Sequence, residues 1–426
     1  MRYEPSLDGV RALAILGVLI FHIRPVWLEG GFTGVDVFFV LSGYLITSVI
    51  LHDIRDKDFT MREFYTRRIQ RLLPNAALTV LVTVLISRLF LLPSSSVAVA
   101  DHGLFTLFNL SNFFILENVG GYWGANSGST PLLHTWSLAV EEQFYLFFPA
   151  ILSLFLLVRQ GRLFALILGL TLASFGLSLL FLHSHPSGTF YMLPTRAWEP
   201  LLGAVLAAYR LSPDARKPLR MTGLSRSAEA LGWAGLAAIG SGFFLITESE
   251  GFPGWVALIP TLGTLAVLIS IADGKTRLAQ WLSAAPMVLI GKLSYSLYLW
   301  HWPMIVMGRN YAALMGYPRV AGTLVGAALG IGFAVIAYQI IEKPLRKRGE
   351  GRKQRLLLIG ALTLLSALTC LVISWQGSRL NLLEHFDRPS FRGLAYDAVA
   401  TGDTRVLAAS VRYRRLVFSG PCTTVA

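Results

Sequence analysis

The sequence predicts an all-α protein, a polytopic transmembrane bundle of about ten or eleven membrane-crossing helices. Of its 426 residues, 54% are hydrophobic and only 14% are charged, whereas a soluble globular chain carries about 25% charged residues. The mean hydropathy is correspondingly high, at +0.58. The apolar residues also gather into runs near the length of about 20 residues that a helix needs to cross the hydrocarbon core. This composition excludes a soluble enzyme, a disordered chain and a disulfide scaffold.

The apolar runs define the predicted membrane spans in order. Their bounds are about 8–27, 33–53, 74–92, 134–158, 163–182, 194–209, 228–247, 255–272, 286–307, 320–341 and 356–376. The stretch 101–116 is apolar but short, and we expect an interfacial or re-entrant helix there. The first run is predicted to be a retained span, because it contains Arg11 and His22 and shows no small-residue cleavage site.

The excess of positive charge predicts the orientation of the chain. The formal net charge is +13, from 37 Lys and Arg against 24 Asp and Glu. Five loops predicted to lie on one side hold 22 of these basic residues, and the opposite loops hold 4. The positive-inside rule therefore places the N-terminus in the cytoplasm and, for an odd number of spans, the C-terminus outside the inner membrane. We expect no nucleic-acid partner, since such a partner needs a soluble basic face.

The first span contains a candidate pair of functional residues, Arg11 and His22. Eleven residues rotate a helix by about 1100°, close to three full turns, so the two side chains share a face. They are separated by about 16 Å along the axis. Histidine is the best general base near neutral pH. With Arg11 near the cytoplasmic end of the span and His22 deeper in the membrane, the pair would suit a long anionic cofactor that extends from the cation to the base. Alternatively, His22 is a structural histidine whose hydrogen bonds are all made within the helix bundle.

The second span contributes a candidate carboxylate, Asp36. It follows Gly30, Gly31 and Gly34, which let backbones approach closely in a membrane bundle. Asp36 is predicted to lie near the outer end of the span, beside the level of His22. It could orient the imidazole and stabilise its protonated form, or it could cap the N-terminus of the helix.

Three arginines crowd the predicted cytoplasmic loop 54–73. Arg67 and Arg71 are four residues apart and Arg68 and Arg71 are three apart, so we expect all three on one helical face. Like charges in this arrangement repel unless an anion lies between them. Arginine forks match phosphate oxygens, which predicts a phosphate clamp, although positive-inside topology also explains these charges.

The fourth span begins with a further polar stripe. Ser137 and Glu141 lie three and seven residues after His134, so the three share one face. Glu142 is turned about 100° away. Adjacent glutamates in a span require a purpose, and Glu141 is the one predicted to face a cavity.

Later spans add two further features. Arg196 and Glu199 are three residues apart, a spacing that predicts a structural ion pair. In the ninth span, Ser294, Tyr298 and His301 form a stripe at i, i+4 and i+7. An interfacial aromatic belt explains the neighbouring tryptophans but not His301, which is therefore a candidate catalytic residue.

Together these segments resemble the acyltransferase 3 family of integral membrane acyltransferases. The resemblance covers about 1–345, and its stretches are 7–14 with His22, 30–43, 64–68, 133–145 and 295–303. The arginine–ten residues–histidine motif of the family corresponds to Arg11 and His22. The other family positions correspond, in chain order, to Asp36, to the pair Arg67 and Arg68, and to Glu141.

The chain also resembles the subgroup in which this membrane domain is fused to an extracytoplasmic SGNH-type domain. The similar stretches are 253–255, 260–263 and 341–346. We therefore expect a membrane acyltransferase domain over 1–345, then a basic cytoplasmic loop and an extra span over 346–376. Residues 377–426 would form an extracytoplasmic tail that resembles a short start of the SGNH-type domain, without its Gly-Asp-Ser block.

The resemblance implies transfer of an acyl group, usually acetyl, from cytoplasmic acyl-CoA to a hydroxyl of an extracytoplasmic carbohydrate, with no metal. A lipopolysaccharide O-antigen or another cell-envelope glycan would be the acceptor, and membrane lipid would surround the protein. The CoA phosphates would bind the arginines Arg11, Arg67, Arg68 and Arg71. His22 would act as general base, activate a protein hydroxyl or accept the acyl group itself. The alternatives are a glycan or lipid transporter, another lineage of membrane O-acyltransferases, and a sensory membrane module.

Overall fold

The computed structural model describes residues 3–119, 127–158, 163–211, 225–247, 251–272, 274–346 and 351–384. Within these ranges the chain forms helices, turns and no β-strand, which confirms the predicted all-α bundle. The predicted loop 159–162, most of the loop 210–226 and residues 385–426 of the predicted tail lie outside the described residues.

The helices of the N-terminal half include the elements that carry most of the candidate residues. They are α1 (Pro5–Ile23), α2 (Gly34–Arg55), α3 (Met61–Phe90), α4 (Pro93–Leu107), α5 (Ser111–Asn118), α6 (Thr135–Val158), α7 (Leu163–Phe181), α8 (Pro186–Tyr191) and α9 (Leu193–Arg196).

The C-terminal half continues the bundle with longer helices separated by short ones. They are α10 (Trp198–Leu211), α11 (Ser225–Leu245), α12 (Leu258–Ile271), α13 (Arg277–Leu282), α14 (Ala285–Met315), α15 (Arg319–Ala337), α16 (Lys343–Leu345) and α17 (Arg352–Glu384). A π-helical turn, Tyr338–Glu342, joins α15 to α16.

Eight helices in the described ranges are long and apolar enough to cross a membrane. They are Pro5–Ile23, Gly31–Arg55, Met61–Phe90, Thr135–Phe155, Leu163–Phe181, Arg226–Leu245, Arg319–Leu345 and Arg352–Gly377. The other three predicted spans coincide with α10, α12 and α14, which have 14, 14 and 31 residues. The chain is thus a membrane protein with a polytopic helical bundle.

The start of α3 corrects the prediction that residues 54–73 form a loop. The helix begins at Met61 and continues through Pro74 to Phe90. Thr60 caps it, because its hydroxyl accepts a hydrogen bond from the backbone N–H of Glu63 at 3.3 Å, the first half of a capping box. The sequence interpretation placed the boundary at Pro74, but the proline is accommodated inside the helix. Arg67, Arg68 and Arg71 therefore lie on α3.

Two further boundaries differ from the prediction. The stretch 101–116 is divided between α4 and α5, and Asn109 adopts a left-handed backbone conformation at the break, with φ of 57°. Asparagine tolerates this conformation better than most residues. The last helix, α17, also extends to Glu384, so the first eight residues of the predicted polar tail are helical.

Glycines bring α15 close to α14. Gly322, Gly326 and Gly330 recur every fourth residue of α15, a small-residue stripe of the kind that lets membrane helices approach. At Gly330, a Cβ atom would lie 2.9 Å from the Cα of His301. Since that distance is too short for a real contact, any side chain here would displace the backbone that carries His301.

The predicted glycine contacts of α2 are confirmed. A Cβ atom on Gly31 would overlap the carbonyl oxygen of Gly17, and one on Gly34 would overlap that of Ala14. The chain entering α2 therefore lies directly against α1. This close approach brings the first turn of α2 to the wall of the cavity that His22 lines.

Candidate active site

The site is centred on two histidines that meet between α1 and α14. His22 lies in the last turn of α1, and its Nδ1 is 3.0 Å from Nε2 of His301. Their side chains belong to buried residues, with exposed fractions of 7% and 1%. The His22 ring also lies 4.6 Å from the Trp302 ring, centroid to centroid. The two histidines are 279 positions apart in the chain, so only the folded bundle brings them together.

The hydrogen bonds assign the tautomers of both rings. Nδ1 of His301 lies 2.9 Å from the carbonyl oxygen of Leu297. A carbonyl oxygen can only accept, so Nδ1 of His301 carries hydrogen and Nε2 of the neutral ring is an acceptor. His22 must then donate through Nδ1. The lone pair of a neutral His22 is consequently on Nε2, which is the arrangement that a general base requires.

A third histidine, His134, lies beside this pair. Its ring centroid is 5.5 Å from that of His301. Its Nε2 donates to the carbonyl oxygen of Leu299 at 3.1 Å, while its buried Nδ1 has no hydrogen-bond partner. The hydroxyl groups of Ser137 and Tyr298 are 2.6 Å apart, so the predicted stripes of α6 and α14 do face each other.

A cavity connects these groups and defines the site. Its wall includes His22, His134 and Tyr298, together with Asp36 and Arg196. We call it the histidine cavity; the rest of its lining is aromatic and aliphatic. Among the described residues, no group of three or more His, Cys, Asp or Glu side chains is arranged to hold a metal ion.

Asp36 lies on the wall of the cavity, with its carboxylate bound by an arginine. Its Oδ1 accepts a hydrogen bond from Nη2 of Arg196 at 2.8 Å. Neither sequence interpretation of Asp36 anticipated this contact: helix α2 has Thr33, not Asp36, as its N-cap. The predicted ion pair of Arg196 with Glu199 is present, with Nε and Oε1 3.2 Å apart. The three side chains are 0–1% exposed.

Aromatic rings surround the Arg196 guanidinium. Its central carbon lies 5.3–5.6 Å from the centroids of four rings, which belong to Phe39, Trp136, Phe190 and Phe252. The ring faces attract the cation and fill the space that water would otherwise occupy. The arginine is therefore held in a dry setting on the wall of the cavity.

A second group of charged residues lies toward the Pro5 end of α1. Arg11 forms an ion pair with Asp8 at 2.8 Å, and its side chain is 20% exposed. It also interacts electrostatically with Arg71 of α3, and Arg71 interacts in the same way with Arg68. We call Arg11, Arg68 and Arg71 the arginine cluster. Three guanidinium groups from two helices are thus close enough to interact electrostatically, an arrangement that suits an anionic group.

Glu141 belongs to this second region. Its Oε1 accepts hydrogen bonds from the hydroxyl groups of Ser42 and Tyr145. The Arg68 guanidinium lies over the Tyr145 ring, 4.5 Å from its centroid. Glu141, which the sequence predicts to face a cavity, thus contacts Tyr145, the residue whose ring lies under the Arg68 guanidinium.

Arg67 is separated from the arginine cluster. Its Nη2 forms an ion pair with Oδ2 of Asp53 on α2 at 2.6 Å. The prediction that Arg67, Arg68 and Arg71 form one group is thus correct only for the last two. Helical spacing does not explain the separation, since Arg67 and Arg71 share a face at i,i+4; the ion pair with Asp53 on α2 does, because it draws the Arg67 side chain toward α2.

One buried network was missed by the sequence interpretation. Ser296 donates to Glu342 at 2.7 Å, Asn75 donates to Ser296 at 2.7 Å, and Trp300 donates to Asn75 at 3.0 Å. Glu342 ends the π-helical turn, a type of helix that often marks functional positions. Asn75 directly after a proline, inside an apolar run, is the signal that could have revealed it.

His134 and Arg196 were also not assigned to the site by sequence. His134 was considered only as a neighbour of Glu141, and Arg196 only as half of an ion pair. An intramembrane ionisable residue is a functional candidate by default, so both could have been retained on that ground alone.

The fold and the site define a class of protein. It is a polytopic membrane protein in which the buried His22 imidazole has its basic nitrogen at Nε2. This ring lies about 16 Å along α1 from Arg11 of the arginine cluster. Such an arrangement can hold an anionic donor at one end and remove a proton from a hydroxyl at the other.

Comparison with known proteins identifies the family. The acyltransferase 3 family model, described as an acyltransferase domain, matches residues 4–339. The chain therefore belongs to this family of acyltransferases, and the family resemblance inferred from the motifs is confirmed. The matched region includes every residue of the histidine cavity and of the arginine cluster named above.

Curated relatives support the same assignment. The chain is 34% identical over 361 residues to O-acetyltransferase OatA of Staphylococcus aureus strain NCTC 8325, and 36% identical over 362 residues to the protein SAS0844 of strain MSSA476. Both alignments cover 82% of this chain but 58% of the relative. The chain thus spans less than two thirds of the length of these relatives. No solved structure matches it significantly.

Proposed function

We propose that the protein is a membrane O-acyltransferase that moves an acyl group, normally acetyl, from acyl-CoA to a hydroxyl of a cell-envelope carbohydrate such as lipopolysaccharide O-antigen. The observation that carries the proposal is the buried His22–His301 pair, in which His22 lines the histidine cavity and has its basic nitrogen assigned by hydrogen bonding. Family membership and the similarity to an O-acetyltransferase support it.

The residues take separate roles in this function. Arg11, Arg68 and Arg71 bind the phosphates of the acyl-CoA donor, because guanidinium groups pair with phosphate oxygens through two parallel hydrogen bonds. The thioester then reaches along α1 toward His22. Nε2 of His22 removes the proton of the acceptor hydroxyl as this oxygen attacks the thioester carbonyl.

His301 acts through His22. Its Nε2 accepts the hydrogen bond from His22 Nδ1 at 3.0 Å, which holds the ring in the basic tautomer and stabilises the imidazolium that forms. His301 is itself held by the Leu297 carbonyl. It is therefore a positioning residue rather than the base.

The proposed orientation follows from the basic loops. The arginine cluster lies on the cytoplasmic side of the inner membrane, where acyl-CoA is present, and the histidine cavity lies nearer the outer side, where the glycan is. The excess of Lys and Arg in the loops of one side supports this topology.

The direct test uses membranes that contain the full chain. Supplied with radiolabelled acetyl-CoA and an envelope glycan extract, these membranes should release CoA and label the glycan, and the ester label should be removed by mild alkali. Membranes with His22→Ala protein at equal abundance should do neither. Movement of intact glycan without CoA release would instead establish a transporter.

A further inference from the structure

Arg196 has hydrogen-bond donors that the protein does not use. A guanidinium offers five N–H donors, and one hydrogen bond, from Nη2 to Asp36, is present at 2.8 Å. Nε lies 3.2 Å from Oε1 of Glu199, whereas Nη1 is buried with no hydrogen-bond partner among the described residues, in a side chain that is 1% exposed. Buried donors of a charged group are normally satisfied, because leaving them unpaired is costly.

The unpaired donors belong to a side chain that lines the histidine cavity. Arg196 and His22 are both on its wall. The four aromatic rings around the guanidinium restrict its orientation, while Asp36 and Glu199 hold two of its nitrogens from α2 and α10. A fixed cation with vacant donors therefore shares one enclosed space with the base.

We propose that Arg196 is a further catalytic residue, and that its Nη1 donates hydrogen bonds to the acyl carbonyl oxygen as negative charge develops there. This inference rests on the proposed acyl transfer. Preorganised donors aimed at a developing oxyanion usually contribute the largest single stabilisation in acyl transfer, especially where water is excluded.

The step balances without any further reactant. The acceptor oxygen forms a bond to the thioester carbon, and its proton passes to Nε2 of His22. The carbonyl π electrons move onto the oxygen that Arg196 binds. When they return, the C–S bond breaks, and the CoA thiolate takes the proton from His22. Arg196 transfers no proton, and the products are the O-acyl ester and CoA.

This role also assigns a purpose to the two buried carboxylates. Asp36 and Glu199 lie on either side of the guanidinium, and replacing a buried ion cluster by apolar residues is often neutral or stabilising. The cluster is therefore poorly explained by stability. It is well explained by the need to keep a cation at a defined place beside the acyl group.

The decisive variant replaces the whole cluster by apolar residues: Asp36→Val, Arg196→Met and Glu199→Met together. Purified in lipid nanodiscs, it is compared with the wild-type protein for acetyl transfer from acetyl-CoA to the same envelope glycan extract as in the direct test. Folded protein is counted by size-exclusion chromatography and thermal unfolding. We expect kcat to fall by about 10²–10³-fold with an unchanged KM for acetyl-CoA.

Wild-type kcat in the folded triple variant would overturn the proposal, since a merely structural cluster can be replaced. Arg196→Lys provides a second reading: it keeps the charge but loses the planar fork, and it should show the same loss of kcat at constant KM. The His22→Ala variant separates the two hypotheses. If His22→Ala transfers acetyl normally, the proposed base is wrong, whatever the outcome at Arg196.

A measurement on the wild-type protein does not depend on any variant folding. A non-transferable ketone analogue of acetyl-CoA, labelled with carbon-13 at its carbonyl, is bound and examined by infrared difference spectroscopy. A guanidinium hydrogen bond should lower the carbonyl stretching frequency below that of the analogue in an apolar solvent. A bound carbonyl with the apolar-solvent frequency would contradict the role of Arg196.

Discussion

The arginine cluster and the histidine cavity hold their ionisable groups in opposite ways. In the arginine cluster, the Arg11 side chain is 20% exposed, and guanidinium groups from two helices repel one another. In the cavity, the histidines are almost fully buried and hydrogen-bonded to each other or to backbone carbonyls. The cavity's arginine is paired with carboxylates on both sides.

This difference separates binding from chemistry. Like charges that are partly exposed are stabilised when an anion binds between them. The arginine cluster should therefore contribute to the affinity for the anionic acyl-CoA donor. Buried and oriented groups contribute where charge develops during the reaction. Changes in the cavity should therefore lower kcat, and changes in the arginine cluster should raise KM for acyl-CoA.

The largest effect is expected from His22→Ala. Loss of the general base should lower kcat by about 10²–10⁴-fold, while KM for acetyl-CoA stays the same because the donor phosphates bind elsewhere. The measurement is the steady-state release of CoA by protein in nanodiscs.

The matched control is His52→Ala. Like His301, His52 is a helical histidine whose Nδ1 contacts the carbonyl oxygen four residues earlier, here that of Ser48 at 2.8 Å. It lies near the C-terminal end of α2, whereas Asp36 of the histidine cavity lies in the first turn of that helix. This variant should retain wild-type kcat. Equal losses in the two variants would show that the effect is a general one on the bundle.

His301 should have the next largest effect, and its two variants should differ. His301→Leu removes the acceptor for His22 Nδ1, so the base is no longer oriented and kcat should fall by up to about 10²-fold. His301→Gln offers a carbonyl oxygen near the position of Nε2 and should recover part of this loss. Comparison of the two pH–kcat profiles tests the mechanism, since only loss of the hydrogen bond changes the titration of His22.

The general fold could be predicted from sequence because its main determinants are local. Apolar runs near the length of the hydrocarbon core predict helices directly, and each of the eleven predicted spans coincides with a helix. The exceptions are informative. Pro74 was interpreted as a boundary, but the helix had already begun at Met61, directly after the Thr-x-x-Glu cap that Thr60 starts in the sequence.

The site could be predicted only in part, because tertiary contacts decide it. The alignment of Arg11 with His22 follows from helical geometry alone. The His22–His301 bond joins residues 279 positions apart, and no periodicity relates them. Similarly, nothing local distinguishes Arg67 from Arg68, and the presence of Asp53 on another helix decides which one remains in the arginine cluster.

The arginine cluster should show its contribution in donor affinity. Nε of Arg71 is buried and has no hydrogen-bond partner in the part of the chain that the structure describes, so an anionic group has a donor available. A hydrogen bond to a charged group contributes about 1.5–3 kcal/mol, and Arg71→Ala should raise KM for acetyl-CoA by about 10–100-fold with little change in kcat.

Salt provides an independent check on Arg71. Because ions screen exposed charges beyond about 8 Å at 0.15 M, KM of the wild-type protein should rise with ionic strength, and the variant should respond less. Arg55→Ala is the control, since Arg55 is 62% exposed and lies 3.4 Å from Asp56. A salt response that is equal in all three proteins would contradict donor binding by Arg71.

The smallest effect distinguishes two neighbouring arginines, Arg67 and Arg68. The family motif treats them as a pair, but the structure assigns Arg67 to Asp53 and Arg68 to the face of Tyr145. A partly exposed ion pair contributes about 0–1 kcal/mol, so Arg67→Ala should change KM by less than about fivefold. Arg68→Ala should raise KM as Arg71→Ala does, measured in the same acetyl-CoA titration.

The pair is a sharp test because the two residues are consecutive, equally charged and on the same helix. Any explanation based on net charge or positive-inside topology predicts equal effects for both. Only the direction of each side chain predicts a difference. If Arg67→Ala weakens donor binding as much as Arg68→Ala, then Arg67 must exchange Asp53 for the donor, and the boundary of the arginine cluster must be widened to include it. The single variant Asp53→Asn would then show it, because releasing Arg67 from its ion pair should lower KM for acetyl-CoA rather than raise it.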